Sequence, residues 1–331
     1  DTLHPANFST TVELNILNQI YDTLMYMNPD ETHDPEPRIA ESYEISDDGL
    51  DYTFHLRDDV TFHDGSKLTS EDVKFSLEMY QQSEYQGYEV DGLASVDTPD
   101  DTTVVCHLEY PYSPFLLGVC NVHIASKSYY EASADNFVSS PVGTGPYKYV
   151  GRNKGSDITL EAYDSYYRGV AAIKNVKFEV IPDEATMAVA LQTGEINFAD
   201  IEPASISQLQ ANKDITIARV DTSAFSYVCM NLEKEPFNDV RVRQAINYAL
   251  NRENIIAVCY DGEAEVNSNI CAKTRMGYQD SQLQYTYDVE KAKALLAEAG
   301  IETPYNLGEM LVAEKYSNPE RSESNRSGCN N

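Results

Sequence analysis

From Tyr52 to Arg57, apolar and polar residues alternate: Tyr52, Phe54 and Leu56 interleave with Thr53, His55 and Arg57. A period of two predicts a strand with one buried face. Asp58-Asp59 then turns the chain into a second short strand, Val60-Thr61-Phe62. Asp64-Gly65 supplies the next turn, because glycine tolerates positive φ and aspartate can bond its own backbone. Thr69 with Asp72 three residues on is a capping-box pattern. Beyond it Val73, Leu77 and Tyr80 fall at i, i+4 and i+7, one face of a helix. The unit reads strand, turn, strand, turn, capped helix.

The same patterning organises the rest of the chain. Val12, Ile16, Ile20 and Leu24 recur at steps of four after a polar loop, Asn7-Phe8-Ser9-Thr10-Thr11, and predict a helix. Pro29, Pro35 and Pro37 break it. Val96 to Leu108 reads as two strands around the turn Pro99-Asp100-Asp101, and Phe115 as a core residue. Gly143-Thr144-Gly145-Pro146 is a tight segment leading into a strand, Tyr147 to Val150. No Lys-Ser/Thr follows it, so it is not a phosphate loop. Ile173 to Ile181 predicts a strand, and a helix ended by Gly194 follows. Glu195 to Asp200 then returns as a strand, which suits a βαβ crossover. Further strands are expected at Ile215 to Val220 and Ala224 to Leu232. Further helices are expected at Ser205 to Leu209, after a cap at Asn238 or Asp239, and after Asp288. Asn318 to Asn331 carries no apolar residue except Cys329 and reads as disordered.

Composition narrows the function classes. Of 331 residues, 54 are acidic and 24 basic, a net charge of −30 at pH 7. Such a surface repels nucleic acid and anionic membrane. No apolar run approaches the roughly 18 residues a spanning helix needs, so direct membrane insertion is not expected. Asp1 opens directly on a polar segment with no signal-peptide pattern, as is expected also of an exported protein whose leader has been removed. Six cysteines, with no Cys-x-x-Cys, leave two readings: buried free thiols, or pairs Cys106–Cys120 and Cys259–Cys271. Hydrolytic chemistry finds no carrier. There is no His-Glu-x-x-His and no Gly-x-Ser-x-Gly, and His55 and His63 lack ligand spacing. The 24 tyrosines offer apolar rings with polar tips, suited to half-buried packing or to a wet cleft.

Several stretches together resemble the family 5 extracellular solute-binding proteins, the peptide- and nickel-binding receptors of ABC importers. They are DGLDYTFHLRDDVTFHDGSKLTSEDVKFSLE, PVGTGPYKYV, the Ala-x-x-Leu-x-x-Gly-Glu-Ile run at 188–196, and Asp288 to Gly300. The resemblance implies a periplasmic-binding-protein-like (type II) α/β fold with two lobes and an inserted α/β domain. On that basis the first lobe is expected from 1–30 and 145–230, the insert from 31–144, and an incomplete second lobe from 231–317. The implied function is capture of oligopeptides in an interlobe cleft for uptake, without catalysis, cofactor or bound metal. The implied partners are the permease subunits. The implied site is the periplasm or the outer face of the cell membrane, and the implied state a monomer. Nickel-chelate or haem binding is the alternative within the family, and peptide hydrolysis the alternative of another class. By resemblance Phe8, Ser9 and Thr10 lie along the ligand, Thr144 near the hinge, and Tyr227, Met230 and Asn231 at the cleft. The family continues well beyond Leu311, so a C-terminally truncated chain is expected.

Overall fold

The computed structural model describes residues 2–28, 34–132, 138–275, 278–280 and 284–307. The chain forms two compact units, Asp1–Val180 and Ile181–Asn331. The tail expected to be disordered lies outside the described residues.

Three separate sheets, all in the first unit, carry its architecture. A two-stranded ribbon pairs β1 (Met25–Met27) with β2 (Pro35–Pro37). A four-stranded antiparallel sheet runs in the order β3-β4-β6-β5, from β3 (Ala40–Ile45), β4 (Asp51–Leu56), β5 (Leu93–Asp100) and β6 (Thr103–Leu108). The alternation read from the sequence is what β4 buries: Tyr52, Phe54 and Leu56 are inside. Phe54 faces Tyr43 on one side and Val104 on the other, which fixes the register through the buried face. Helix α2 (Ser70–Gln81) lays Val73, Leu77 and Tyr80 into the same core. At its start the Asp72 carboxylate accepts from the Thr69 N–H at 2.9 Å and the Thr69 hydroxyl at 3.0 Å. Val60 and Phe62 are buried, but the segment expected as a short strand forms only a single bridge, Thr61 to Lys67.

A second core joins α1 (Thr11–Ile20) to a meander of β7 (Tyr147–Asn153), β8 (Asp157–Ala162) and β9 (Asn175–Glu179). Helix α1 contributes Ile16, Leu17 and Ile20, the meander Tyr147 and Leu160. Val12, expected on the buried stripe, is 69% exposed. Short helices α3 (Phe115–Gly118) and α4 (Lys127–Ala132) follow β6, with Phe115 fully buried.

The second unit corrects the sequence expectation. Helices α5 (Glu184–Thr193), α6 (Pro203–Gln210), α7 (Val240–Ala249), α8 (Arg252–Cys259) and α9 (Val289–Glu298) form, with Asp183, Asp239 and Asp288 as N-caps. The strands expected at 195–200, 215–220 and 224–232 do not. Strand β9 pairs only with β8, antiparallel, so the expected βαβ crossover is absent among the described residues. The physical reason is that a strand exists only in a ladder, and no ladder partner for these segments stands among the described residues. Their apolar side chains stay outside, Phe198 at 84% and Val220 at 78% exposure.

Cys106, Cys120, Cys229, Cys259 and Cys271 are all free. Cys106 and Cys120 are buried, and burial pushes the Cys120 thiol up to about 12. Site-mapped alkylation at pH 8 should therefore modify exposed Cys229 in the native chain, and Cys106 and Cys120 only after unfolding. Native-state labelling of Cys106 would contradict this packing.

Candidate functional site

Two places, one in each unit, gather the residues singled out above. In the first unit the N-terminal loop, residues 2–10, is held from below by one carboxylate. Glu13 takes the N–H of Thr2 at 3.0 Å through Oε1, and those of Ser9 at 3.0 Å and Thr10 at 3.2 Å through Oε2. Thr10 is the N-cap of α1, and its hydroxyl oxygen accepts from the Glu13 N–H, closing a capping box. Burial opposes ionisation of Glu13, but the amides of Ser9 and Thr2 and the Thr10 hydroxyl outweigh it and hold the carboxyl below its usual range. Thr10 and Glu13 form the Thr-x-x-Glu signature, a local signal from which the clamp was readable in the sequence. Ser9 is exposed, whereas Phe8 is 6% exposed with its ring edge-on to His123 at 5.8 Å. Phe8 thus anchors the loop to the core.

The tight segment 143–146, hereafter the crossover, is fastened on two sides. Gly145 N–H donates to Ile20 O at 2.8 Å, the last carbonyl of α1. On the other side His63 N–H donates to Gly143 O at 2.9 Å. Gly143 N–H in turn donates to His63 Nδ1 at 3.3 Å, which leaves the ring proton on Nε2 to donate to Gly145 O at 2.9 Å. Burial holds the His63 pKa down at about 4, so the ring is neutral at pH 7. Tyr163 packs edge-on against it at 5.0 Å and donates its hydroxyl to Phe62 O at 2.9 Å. Thr144 is fully buried and its hydroxyl accepts the Asp22 N–H at 3.3 Å. Its side chain joins the crossover to the end of α1.

In the second unit Tyr227, Met230 and Asn231 line one open trough, together with residues of α8 and the 263–270 segment. Tyr227 is 74% exposed and its ring lies 5.4 Å from that of Phe225. The Asn231 side-chain oxygen accepts the Glu233 N–H at 3.0 Å. The trough, open to solvent, spans about 4790 Å³. That is several times the roughly 300–1,000 Å³ of a closed small-molecule pocket. No group of three or more metal-ligating side chains converges among the described residues.

Sequence reasoning missed the roles of His63, Glu13 and the buried His123, and placed Tyr80 on the buried helix face without its polar partners. His123 Nε2 lies 2.9 Å from Asn18 Oδ1 and its Nδ1 3.1 Å from the Tyr80 hydroxyl. Both partners come from distant stretches of chain, so no local pattern announces them.

Residues 34–325 match the bacterial extracellular solute-binding proteins, family 5 middle region, and the chain belongs to that family. The family and fold are those of non-catalytic solute-binding transport proteins. Among its relatives is the dipeptide-binding protein of Escherichia coli, 33% identical over 299 residues, which cover 82% of this chain and 56% of that one. The heme-binding protein A of Haemophilus influenzae is also 33% identical, over 312 residues covering 85% of this chain and 56% of its own. In structure the chain resembles the oligopeptide-binding protein AppA of Bacillus subtilis, solved with a nonapeptide. The TM-score is 0.80 at 28% identity, covering 93% of this chain and 63% of AppA. The chain thus spans little more than half the length of the curated relatives it matches.

Proposed function

We propose that this chain is the larger part of a receptor that captures oligopeptides outside the membrane and delivers them to the permease of an ABC importer. The observation that carries the reading is the open trough of the second unit. There an aromatic hydroxyl, a thioether and a primary amide (Tyr227, Met230, Asn231) are among the groups that line it. Such groups suit a ligand with a polar backbone and varied side chains: the amide can donate and accept, and the thioether adapts its shape. The N-terminal loop of the first unit, with Ser9 exposed and the amides of Ser9 and Thr10 held by Glu13, enters this reading as a candidate contact. The type II two-lobed binding-protein fold belongs to the same reading, as does a location in the periplasm or at the outer face of the membrane. The likeness to peptide-binding relatives supports it.

A haem reading has one observation in its favour, the equal identity to heme-binding protein A. A melt separates the two. A ligand that binds only the folded chain stabilises it by about 2.7 kcal/mol at a hundred times its Kd. Di- to pentapeptides are expected to raise the midpoint, while haem and nickel–histidine leave it in place. A midpoint raised by haem alone would overturn the peptide reading.

A further inference from the structure

We infer that Ser83 and Gln86 are positioning residues for ligand capture: they lock the N-terminal loop in shape from outside it, without touching the ligand. The inference rests on the peptide-receptor reading above.

The backbone of the loop is satisfied almost group by group. Its N–H groups find acceptors below or within the loop. Thr2, Ser9 and Thr10 use Glu13; His4 uses the Thr2 hydroxyl at 3.1 Å; Ala6 uses His4 Nδ1 at 3.1 Å. Three of its carbonyls, those of Pro5, Ala6 and Phe8, meet donors at the end of α2 and just beyond it. Ser83 Oγ donates to Ala6 O at 2.6 Å and Gln86 Nε2 to Phe8 O at 2.9 Å. The Tyr80 hydroxyl lies 2.8 Å from Pro5 O. Tyr80, Ser83 and Gln86 are spaced by three, so one side of the α2 terminus and its following turn presents three donors in a row. The turn is itself fixed, because Ser83 Oγ accepts the N–H of Tyr85 at 3.2 Å and of Gln86 at 3.0 Å. Gln86 is 8% exposed and Tyr80 fully buried.

A loop whose donors and acceptors are already satisfied loses little further freedom on binding, and affinity is higher by that difference. Residues 83 and 86 lie in the stretch expected as the inserted domain. On that division the insert holds in place a binding loop that belongs to a distant part of the sequence.

The test uses the full chain with Ser83→Ala and Gln86→Met, singly and together, the second keeping the side-chain volume. Three quantities are read: the Kd for a peptide that binds the wild type, amide hydrogen exchange over residues 2–10, and the urea midpoint. The double variant is expected to weaken peptide binding about tenfold. It should also speed exchange at Ser9 and Thr10, while exchange in β4 and β6 stays unchanged. Ser83→Thr, which keeps the hydroxyl, should restore the loop's protection. A uniform loss of protection across the first unit, with Kd and loop affected only in proportion to stability, would reduce these residues to general packing and overturn the inference. So would unchanged exchange at Ser9 and Thr10. If the wild type binds no peptide yet the variants still free the loop, the clamp stands and the peptide reading fails.

Discussion

Gly143→Ala is expected to lower the melting midpoint of the first unit by about 10 °C, the product of an overpacking cost of about 3 kcal/mol or more and a shift of roughly 2–4 °C per kcal/mol in a unit of this size. A Cβ at Gly143 would stand 2.2 Å from Ile20 O and 2.8 Å from the Tyr21 ring, far inside any real contact. The neighbours cannot retreat easily. Ile20 and Tyr21 are buried in the second core, and Ile20 O already accepts the Gly145 N–H. The crossover cannot lift away either, because His63 holds Gly143 from the opposite side. Gly151→Ala is the control: nothing lies within 4 Å of its added Cβ, so its midpoint should stay with the wild type. Equal melts for Gly143→Ala and Gly151→Ala would show that the crossover is not clamped between α1 and His63.

The clamp also marks where sequence legibility ends. Period-two alternation in β4, the hairpin of β5 and β6, and the stripe of α2 are local patterns, and the residues they named are the ones buried. The helix cap at Asp288, and that at Asp239 as one of two candidates with Asn238, were legible for the same reason, a side chain meeting an amide two or three residues on. Strand pairing is not local. The runs at 215–220 and 224–232 have strand-like composition, but composition does not supply a neighbour, and the ladder they call for is missing among the described residues. Candidate contacts divide in the same way. Ser9 and Tyr227, singled out by resemblance as ligand contacts, are exposed. Phe8 and Thr144 carry the right chemistry, yet their ring and hydroxyl are drawn inward by His123 and by the Asp22 amide, partners more than a hundred residues away.

Stability should fall between pH 7 and pH 5, before most carboxylates titrate, and His123 should carry most of the fall. It is 1% exposed, packed against Phe8 and Tyr21, with Asn18, Tyr80 and the Pro5 carbonyl at its nitrogens. Burial, with Arg38 nearby adding to it, brings its pKa from 6.5 down to about 4. The unfolded chain therefore takes up the proton more readily than the folded one. The stabilising contribution is complete above pH 6.5 and is lost progressively as pH falls towards 4. The full shift corresponds to roughly 3 kcal/mol, of which about 2 kcal/mol is gone by pH 5. His63 works in the same direction through burial, with a smaller share because its ring is partly exposed, and protonating its Nδ1 would also cancel the bond from Gly143. His4, likewise lowered by burial, adds to them. His107 opposes them. Asp51 at 2.7 Å and Asp97 at 3.3 Å raise its pKa, so its contribution is present at low pH and lost as pH rises; lying on the open face of the sheet, it is worth little. Urea titrations at pH 7, 6 and 5 read the balance. The wild type should lose stability with each step, and His123→Gln, though less stable at pH 7, should show a distinctly flatter slope. A wild-type stability that stays level from pH 7 to pH 5 would mean that His123 does not enter the fold uncharged.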